Sequence, residues 1–381
     1  MHIQTVFRTV DQELETSLDF LCKICSFEAQ ATDKQTLDRM TDFIQSYAVQ
    51  AGFSVERIPF SNCGDFLCID LNPGAPKACA LLAHMDTVHP AGVFGTPAVQ
   101  RLDDRIIAPG AIDCKGGIAI ALLMMGALKQ HGYPNHIRLL LTSDEEISNR
   151  LGGAAEQQFF RERVAGFPCA INCETSEKDE VVISRKGILK YRVDIQGISG
   201  HSGIHYFECR NPILEAAHKI IALQNESTPG GITYSCNIVE GGVLENIIPE
   251  TCSFRVDVRV PTHAQMEQAA QTVQRIVQTV FVDGTSATLT PISRRPPMEK
   301  TPDTLELFHK MQSICRKYGL GDLTPVESGG GSDSCYTQAA GVPSLCGMGA
   351  CGEFCHTNRE YALTASISLR AKILAAYLLD E

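Results

Sequence analysis

The sequence predicts a mixed, mostly parallel, doubly wound α/β sheet into which a smaller α+β sandwich is inserted. Three runs of almost continuous apolar residues, at 78–83, 136–142 and 167–173, alternate with helical patterns. Such runs are typical of strands buried on both faces, and their alternation with helices is typical of a parallel sheet. Between 186 and 297 the strands have one polar face instead, which indicates a separate antiparallel sheet.

The first part of the chain begins with a helical apolar period over 13–51, which ends at Gly52. The segment 116–130 has apolar residues on nearly all sides, so we expect a buried helix there. The remaining elements predicted before residue 170 are strands at 53–58 and 66–70 and a helix at 152–162.

The middle of the chain alternates apolar and polar residues, which predicts strands with one solvated face. Four such strands and two amphipathic helices are expected, the strands at 188–196, 232–239, 251–260 and 287–292 and the helices at 211–224 and 262–280. Helices on one face of an antiparallel sheet make a small α+β sandwich. The free face of that sheet is available to pair with a second subunit.

After two arginines and two prolines that end at residue 297, the α/β pattern returns. We expect a helix at 304–318, a glycine-rich turn at 329–332 and a closing helix at 366–379. The first domain is therefore split. It consists of 1–185 and 298–381, and residues 186–297 form the inserted domain.

Composition excludes several functional classes. The chain has 381 residues, of which 44% are hydrophobic and 20% charged, and its formal net charge is −11. These proportions are ordinary for a globular protein of two or three domains. A nucleic-acid-binding protein needs a positive surface, and no cluster of Lys and Arg is found, so we expect no nucleic-acid partner. The same absence of Lys and Arg clusters argues against attraction to anionic lipid.

The sequence also predicts a cytoplasmic protein without a membrane partner. Its first fifteen residues lack a basic start followed by an apolar core, so we expect no secretory signal. The longest apolar stretch, near 118–128, is expected to be too short to span a bilayer, and it contains a glycine.

The 16 cysteines are spread over strand-like and helix-like segments, whereas disulfide scaffolds are small and rich in loops. We expect most of them to be reduced core residues. Cys22 and Cys25 form a C-x-x-C pattern, but within an amphipathic helix rather than after a strand, which disfavours a redox role.

A second group of cysteines lies near the C-terminus. Cys346, Cys351, Cys355 and His356 are compatible with a Cys-rich metal site. Their spacing lacks the paired C-x₂-C motifs of such sites. We therefore favour His356 alone as a metal ligand.

Residues able to bind metal follow the predicted buried strands. His84 and Asp86 follow the first strand, the carboxylates 144–146 follow the second, and Glu174 follows the third. Open α/β sheets bind ligands at the carboxyl ends of their strands. Imidazoles combined with carboxylates suit zinc. Together these residues predict a metal site at that edge of the sheet.

Each of these residues has an ordinary structural explanation when it is considered alone. Asp113, in a glycine-flanked turn, is compatible with a helix N-cap, and His356, in a loop before a strand, with a surface residue. The carboxylates 144–146 are compatible with a solvated loop. His84 and Asp86 are two residues apart on a strand and point the same way, so Asp86 is expected to hold the ring of His84. The metal site is inferred only because all these residues occur together at the ends of the predicted strands and in the adjoining loops.

The chain resembles the family of dinuclear zinc peptidases and deacylases that includes glutamate carboxypeptidase, acetylornithine deacetylase, succinyl-diaminopimelate desuccinylase and aminoacylase. The resemblance covers nearly the whole chain, in order, and is strongest to the glutamate carboxypeptidase branch. Eight segments carry it: HMDTVHP, APGAIDCKGG, TSDEEISN, CETSE, GHSG, GGVLENIIPE, DVR and GGGSD.

The resemblance implies two zinc ions per chain, for which cobalt or manganese can substitute. Asp113 is then the carboxylate that bridges both ions. The resemblance assigns His84 and Glu174 to one ion, and Glu146 and His356 to the other. It also implies a cis peptide bond after Asp113, where this chain has Cys114 in place of the aspartate of many relatives.

The resemblance also implies catalytic and substrate-binding residues. Glu145 is expected to be the general base, and Asp86 to support it by orienting His84. In the inserted domain, His201 is expected to stabilise the tetrahedral intermediate. The residues expected to bind the substrate carboxylate or its surroundings are Asn246, Arg259, Gly331 and Ser332.

Two of these assignments have alternatives within the inserted domain. Without the resemblance, His201 is compatible with a glycine-flanked turn that faces solvent. Arg259 is compatible with a salt bridge to Asp257. The resemblance further implies a homodimer through residues 186–297.

The expected activity is hydrolysis of an amide bond next to a free carboxylate, by a carboxypeptidase or by a deacylase of N-acyl amino acids. The substrate is then a small peptide or an N-acyl amino acid. Two interpretations from other classes are a non-catalytic zinc-binding protein and a Cys-rich electron-transfer protein. The presence of Glu145 disfavours the former, since a binding module has no use for a general base.

Overall fold

A computed structural model describes residues 2–380 of the chain. The described chain divides into two compact units. The first contains the chain up to Ser184, Lys300–Ser328 and the chain from Ser332 onward, and the second contains Arg185–Glu299 and Gly329–Gly331. This division differs from the predicted boundaries by one or two residues and by the three glycines, which had been expected in the first domain.

The helices of the described chain are α1 (Ile3–Gln12), α2 (Leu14–Cys25), α3 (Lys34–Gln50), α4 (Gly116–Gln130), α5 (Gly153–Val164), α6 (Pro212–Asn225), α7 (His263–Gln278), α8 (Pro302–Tyr318), α9 (Ser334–Ala339) and α10 (Thr364–Leu379). Its first eight strands are β1 (Ser54–Ile58), β2 (Phe66–Leu71), β3 (Lys77–His84), β4 (Gln100–Arg101), β5 (Arg105–Ile107), β6 (His136–Thr142), β7 (Ala170–Asn172) and β8 (Glu180–Arg185). The others are β9 (Gly187–Gln196), β10 (Gly200–His201), β11 (Thr233–Gly241), β12 (Ile247–Ile248), β13 (Thr251–Val260), β14 (Ser286–Arg295), β15 (Thr324–Ser328), β16 (Ser344–Leu345), β17 (Gly352–Glu353) and β18 (Tyr361–Leu363).

The first unit is built on a six-stranded sheet of order β1-β2-β6-β3-β7-β16. Strand β3 pairs in parallel with β6 and β7, and β16 pairs in parallel with β7. Strands β1 and β2 extend one edge through antiparallel pairs. The sheet is mixed and mostly parallel, which confirms the predicted fold class.

Alternate residues of the central strands belong to two different apolar clusters. Leu139 and Leu141 of β6 pack in a cluster that includes residues of α1–α4, α8 and α10. Leu140 packs in another cluster, with Phe159 and Phe160 of α5 and Tyr336 of α9. Because successive side chains of a strand point to opposite faces, helices cover both faces of the sheet. This double covering explains why the strands are apolar throughout.

Helix α4 and the turn before it form the segment Ala111–Gln130, which is long and apolar enough to cross a membrane by length and composition alone. In the structure, 94% of its most apolar window is buried. The prediction that this stretch is too short to span a bilayer is therefore wrong. Its burial identifies it as a core helix, as the lack of a polar face had predicted.

The helical period predicted over 13–51 is interrupted. Helix α2 ends at Cys25 and α3 begins at Lys34, after a loop in which Gln30 pairs with Thr87. Asp33 caps α3 by accepting a hydrogen bond from the amide of Thr36. The sequence prediction also omitted α1 and the small sheet of β17, β18, β5 and β4.

The second unit contains a four-stranded antiparallel sheet of order β11-β13-β9-β14. Residues along β13 alternate between buried and more exposed positions, as its sequence pattern predicted. The buried face packs with residues of α6 and α7, including Ala216, Leu223 and Val273. A two-stranded ribbon of β10 and β12, which had not been predicted, lies outside this sheet.

Candidate metal centre and active site

The carboxylate of Asp113 lies between two imidazoles. His84 Nε2 is 3.0 Å from Asp113 Oδ1, and His356 Nε2 is 3.2 Å from Asp113 Oδ2. Glu174 Oε1 is 3.6 Å from His84 Nε2, and Glu146 Oε2 is 3.2 Å from His356 Nε2. The structure thus brings together all five predicted ligands, as two sets that share Asp113.

The parallel sheet positions three of these residues. His84 is the last residue of β3, while Glu146 lies in the turn after β6 and Glu174 follows β7. Because β6, β3 and β7 are parallel neighbours, their carboxyl ends meet at one edge. Asp113 reaches the same edge from the turn before α4.

A glycine at the start of α4 allows this close approach. A Cβ atom on Gly117 would lie 2.0 Å from the carbonyl oxygen of Cys173, the residue before Glu174. Any larger residue would push the helix away from the strand end. The peptide bond between Asp113 and Cys114 is cis, which confirms the expectation drawn from the resemblance.

Asp86 connects the two ligand sets. Its Oδ1 is 3.3 Å from His84 Nδ1, and its backbone carbonyl is 3.1 Å from the same nitrogen. Its carboxylate also accepts hydrogen bonds from the amides of Glu145, at 3.3 Å, and Glu146, at 3.0 Å. Asp86 is completely buried. It therefore orients the ring of His84, as predicted, and also fixes the backbone that carries Glu145 and Glu146.

The imidazoles and carboxylates of the cluster stabilise one another's charge. Burial alone would raise the pKa of the Asp113 carboxyl, but hydrogen bonds from His356 and His84 hold that pKa well below its ordinary value. Burial and the neighbouring charge of Asp113 raise the pKa of Glu146 to about 8. Burial alone would lower the pKa of the His84 ring, but the acidic groups around it raise that pKa well above its ordinary value. A divalent cation supplies the same positive charge, so its binding would release protons.

The donor atoms of this cluster fit divalent metal ions. Ligand atoms of His84, Asp113 and Glu146 lie within 4.8 Å of one another. Glu146 Oε1 is buried and has no hydrogen-bonding partner. A buried carboxylate oxygen without a partner is costly unless a cation binds it. Two imidazoles and three carboxylates suit zinc and tolerate other divalent metals.

Glu360 and His89 belong to the site, although neither residue is predicted to have a role from the sequence. Glu360 Oε1 accepts hydrogen bonds from the amides of Ile112, at 3.0 Å, and Asp113, at 3.3 Å. Its Oε2 is 2.9 Å from His89 Nε2. Glu360 therefore holds the backbone of the bridging aspartate. The position of His89 inside HMDTVHP and of Glu360 four residues after His356 was the available signal.

Two thiols also lie at the cluster. Cys355 Sγ donates a hydrogen bond to Asp113 Oδ2 at 2.9 Å, and burial raises the pKa of this thiol to about 12. Cys114 Sγ accepts a hydrogen bond from the backbone amide of His84 at 3.1 Å. Among Cys346, Cys351, Cys355 and His356, the sequence favoured His356 alone as a metal ligand. Of the cysteines in that segment, the structure brings Cys355 to the metal ligands.

Glu145, the expected general base, begins the short turn Glu145–Ile147 directly beside Glu146. It is 8% exposed. The turn is closed by a hydrogen bond from the amide of Ser148 to the carbonyl of Glu145 at 2.8 Å. This backbone is therefore fixed both by its own turn and by Asp86.

In the second unit, His201 and Asn246 are neighbours. Strand β10, which contains His201, pairs with β12, and the amide of Ser202 donates to the carbonyl of Asn246 at 3.0 Å. Both His201 and Asn246 are exposed. The amide of Gly203 donates to His201 Nδ1 at 3.2 Å, so the neutral ring carries its proton on Nε2. His201 thus presents a donor, as an oxyanion-binding residue must.

Arg259 forms the salt bridge to Asp257 that was the alternative to a substrate-binding role. Its Nε is 2.6 Å from Asp257 Oδ1, and its Nη2 is 3.1 Å from Asp257 Oδ2. Its Nη1 donates to the carbonyl of Gly329 at 3.3 Å. Binding of a substrate carboxylate by Arg259 stays a prediction, and the donors engaged by Asp257 would have to be shared.

Gly331 and Ser332 lie at the end of the glycine run. A Cβ atom on Gly331 would lie 2.8 Å from Cδ of Arg295, so the backbone passes close to that side chain. Ser332 is completely buried, and its hydroxyl lies 2.5 Å from that of Ser334. Substrate contact by either residue stays a prediction, which for Ser332 the buried hydroxyl does not favour.

Residues 80–380 match the sequence profile of peptidase family M20/M25/M40. The chain belongs to this family. It is therefore a hydrolase of the M20 group, whose members are metal-dependent peptidases and deacylases. The match covers every residue of the metal cluster and the whole inserted domain, so it confirms the family resemblance drawn from the motifs.

Three M20 relatives illustrate the range of similarity. The chain is 23% identical to carboxypeptidase G2 of Pseudomonas sp. (strain RS-16), over 98% of this chain and 91% of the relative. It is 28% identical to acetylornithine deacetylase of Myxococcus xanthus, over 64% of this chain and 67% of the relative. The M20 metallo-carboxypeptidase structure from Sulfolobus solfataricus superposes with a TM-score of 0.77 at 15% identity, covering 95% of this chain and 98% of that one. The last similarity supports the fold alone.

Proposed function

We propose that this M20 hydrolase is a two-zinc carboxypeptidase of the glutamate carboxypeptidase type, which cleaves the amide bond next to a free carboxylate. The observation that carries the proposal is the shared carboxylate of Asp113, with His84 at one oxygen and His356 at the other. A carboxylate that presents its two oxygens to two ligand sets suits a bridge between two cations.

Each ligand set would hold one ion. His84 and Glu174 supply the donors on the Oδ1 side, and Glu146 and His356 supply those on the Oδ2 side. When bound, a zinc pair supplies a water molecule of lowered pKa and a Lewis acid for the scissile carbonyl. Cobalt or manganese can take the place of zinc, since carboxylate-rich sites discriminate weakly among such metals.

The proton transfers fall to Glu145. It takes the proton of the attacking water and passes a proton to the leaving amine. Its position beside Glu146 and the hydrogen bond from its amide to Asp86 support this role, because both fix the backbone from which the base extends. Asp86 takes no proton in this scheme and acts by orientation.

The second unit would supply the donors that recognise substrate. His201 presents Nε2–H for the oxyanion of the tetrahedral intermediate. Asn246, beside it, and Arg259 would orient the substrate carboxylate, with Gly331 and Ser332 near that subsite. A cavity of about 500 Å³ within this unit is lined by Ser202 and by the residues on either side of Asn246, Glu245 and Ile247, which supports a binding role for this region.

A homodimer through residues 186–297 is part of the proposal. Strand β11 is an edge of its sheet, and Ile238 and Val239 on it are 44% and 52% exposed. Leu214 and Ile221 on α6 are also exposed. An unpaired edge strand next to apolar side chains is a surface that favours association with another copy.

The second candidate is an N-acyl amino acid deacylase of the acetylornithine deacetylase type, which uses the same chemistry. The similarity to carboxypeptidase G2 spans 98% of this chain, whereas that to acetylornithine deacetylase spans 64%. The longer similarity favours the carboxypeptidase.

Substrate profiling of the zinc-loaded protein tests the proposal. Dipeptides that end in glutamate and N-acyl-glutamates are compared with N-acetylornithine and other N-acyl amino acids, with Glu145→Gln as the blank. We expect the highest kcat/KM for substrates with a C-terminal glutamate. Higher values for N-acetylornithine would establish the deacylase instead, and no turnover of any amide would contradict both.

A further inference from the structure

Cys355 contacts the metal cluster at Asp113 Oδ2, the oxygen that also contacts His356. Its Sγ is 2.9 Å from Asp113 Oδ2, and His356 Nε2 is 3.2 Å from that same atom. Ligand atoms of Cys355, Asp113 and His356 lie within 4.8 Å of one another. The sulfur therefore lies among donors of the second ligand set and not merely near it in sequence.

A second observation at the same place points to a cation. The Glu146 side chain is 5% exposed, its Oε2 is 3.2 Å from His356 Nε2, and its Oε1 has no hydrogen-bonding partner. A carboxylate oxygen in that position needs a positive partner. The thiol of Cys355 and the carboxylate of Glu146 thus both lie beside His356, and a cation bound there would satisfy the donors of all three residues.

We propose that Cys355 is a thiolate ligand of the metal ion held by Asp113, Glu146 and His356. The inference rests on the proposed two-metal function and adds a fourth, softer donor to one of its two sites. On binding, the S–H bond of Cys355 breaks, a sulfur–metal bond forms, and the proton passes to solvent. The hydrogen bond from the thiol to Asp113 is then replaced by a shared metal ion.

The other cysteine of the cluster differs in geometry. Cys114 Sγ is also within 4.8 Å of ligand atoms of His84 and Glu174. Its sulfur, however, accepts a hydrogen bond from the backbone amide of His84 and lies 3.7 Å from the carbonyl oxygen of that residue. Cys114 is completely buried against β3, whereas Cys355 is partly exposed. The geometry favours Cys355 as the sulfur ligand.

A thiolate would make the two metal sites unequal. Soft sulfur ligands favour zinc, cobalt and cadmium over manganese, whereas carboxylates accept all of them. The site with His84 and Glu174 retains three protein donors, the number typical of catalytic zinc sites that keep a position for water. We therefore expect zinc to be bound more selectively at the Cys355 site than at its neighbour.

Cobalt substitution tests the proposal. The full-length protein is freed of metal, loaded with cobalt(II) and analysed for bound metal, and its near-ultraviolet spectrum is recorded for sulfur-to-cobalt charge transfer. We expect a charge-transfer band in the wild type and its loss in Cys355→Ser with cobalt still bound. The band is expected to persist in Cys114→Ser and in Cys236→Ser, a control with a partly exposed cysteine in the other unit.

A second measurement guards against misfolding of the variant. Alkylation of Cys355 is followed by peptide mass spectrometry in the wild type, before and after zinc is added, and zinc is expected to slow it, because a metal-bound thiolate is a poor nucleophile. Cobalt bound without a band, a band that persists in Cys355→Ser, or a band lost only in Cys114→Ser would overturn the proposal.

These outcomes also separate this inference from the proposed function. Protein that binds cobalt and hydrolyses its substrate without a charge-transfer band retains the two-metal function and refutes the thiolate ligand alone. Protein that binds no divalent metal refutes both.

Discussion

Asp86 accepts a hydrogen bond from the amide of Glu146 at 3.0 Å, and the same carboxylate lies 3.3 Å from the ring nitrogen Nδ1 of His84. One buried side chain at the end of β3 thereby orients a ligand from each of the two metal-binding sets. This arrangement makes Asp86 a positioning residue for the whole centre.

Asp86→Asn is expected to weaken metal binding without unfolding the protein. Asparagine has the same shape but only one oxygen that can accept hydrogen bonds. Either His84 or the turn that carries Glu146 therefore loses its partner. Loss of such supporting contacts typically costs about 10–100-fold in metal affinity. Competition with a chromophoric chelator measures the effect, and Asp104→Asn, an exposed carboxylate bonded to Arg105, is the control. Equal affinities in both variants would refute this role.

Glu145→Gln is expected to keep both metals and lose catalysis. Glutamine has nearly the same shape as glutamate but cannot accept the proton, and general-base catalysis contributes about 10²–10⁴-fold. Asp113→Ala is expected to lose metal as well, because it removes the carboxylate that the two ligand sets share. Elemental analysis and kcat, measured on the same samples, distinguish the two variants. Turnover by Glu145→Gln at the wild-type rate would show that another residue is the base.

Removal of metal is expected to abolish activity, and about two zinc ions per chain are expected to restore it. The expectation rests on the two ligand sets that share Asp113. Chelation followed by stepwise addition of zinc gives the stoichiometry, and cobalt and manganese are tested in parallel. A fully active preparation without any divalent metal would contradict the proposed mechanism.

Glu156→Gln is expected to stabilise the protein more at high pH than at low pH. Glu156 is completely buried, and burial together with the charges of Asp144 and Asp333 raises its pKa well above the ordinary value. The folded state therefore holds a proton that the unfolded chain releases, so this group lowers stability as pH rises above its unfolded pKa. Glutamine is neutral throughout and can donate to Asp144 Oδ1, which has no other partner.

Chemical unfolding of the chelator-treated protein at about pH 5 and about pH 8 measures this difference. The gain in stability of the variant over the wild type is expected to be larger at about pH 8 than at about pH 5. Glu162→Gln, at an exposed position of the same helix, is the control. A stability difference that is equal at both pH values would show that Glu156 is ionised in the folded state.

Mixing Glu145→Gln with His201→Ala subunits is expected to restore activity. The hypothesis is that each active site of the proposed homodimer is completed by His201 of the other subunit, in which case a heterodimer contains one site with both residues intact. Each variant alone is expected to be inactive, and co-purification of differently tagged subunits shows that heterodimers have formed. Heterodimers that remain inactive would mean that His201 acts within its own chain or not at all.

The sequence by itself predicted the sheet, the principal helices and the five candidate metal ligands. Continuous apolar runs predict β3, β6 and β7, and the carboxyl ends of parallel strands must meet, so the sequence pattern alone places His84, Glu146 and Glu174 together. The resemblance then added Asp113 and His356, which no local pattern distinguishes from a helix cap and a surface residue.

Only the tertiary structure decided which residues surround those ligands. Glu360 and His89 lie 271 positions apart in the chain, and Cys355 meets Asp113 across 242 positions. The period of a sequence reports which face of a helix or strand is buried, but it carries no information about which distant side chain occupies the adjacent space. That choice depends on how the loops return to the sheet edge. For the same reason the break between α2 and α3 emerged only in three dimensions, and only the structure decided between the two interpretations of Arg259 by pairing it with Asp257.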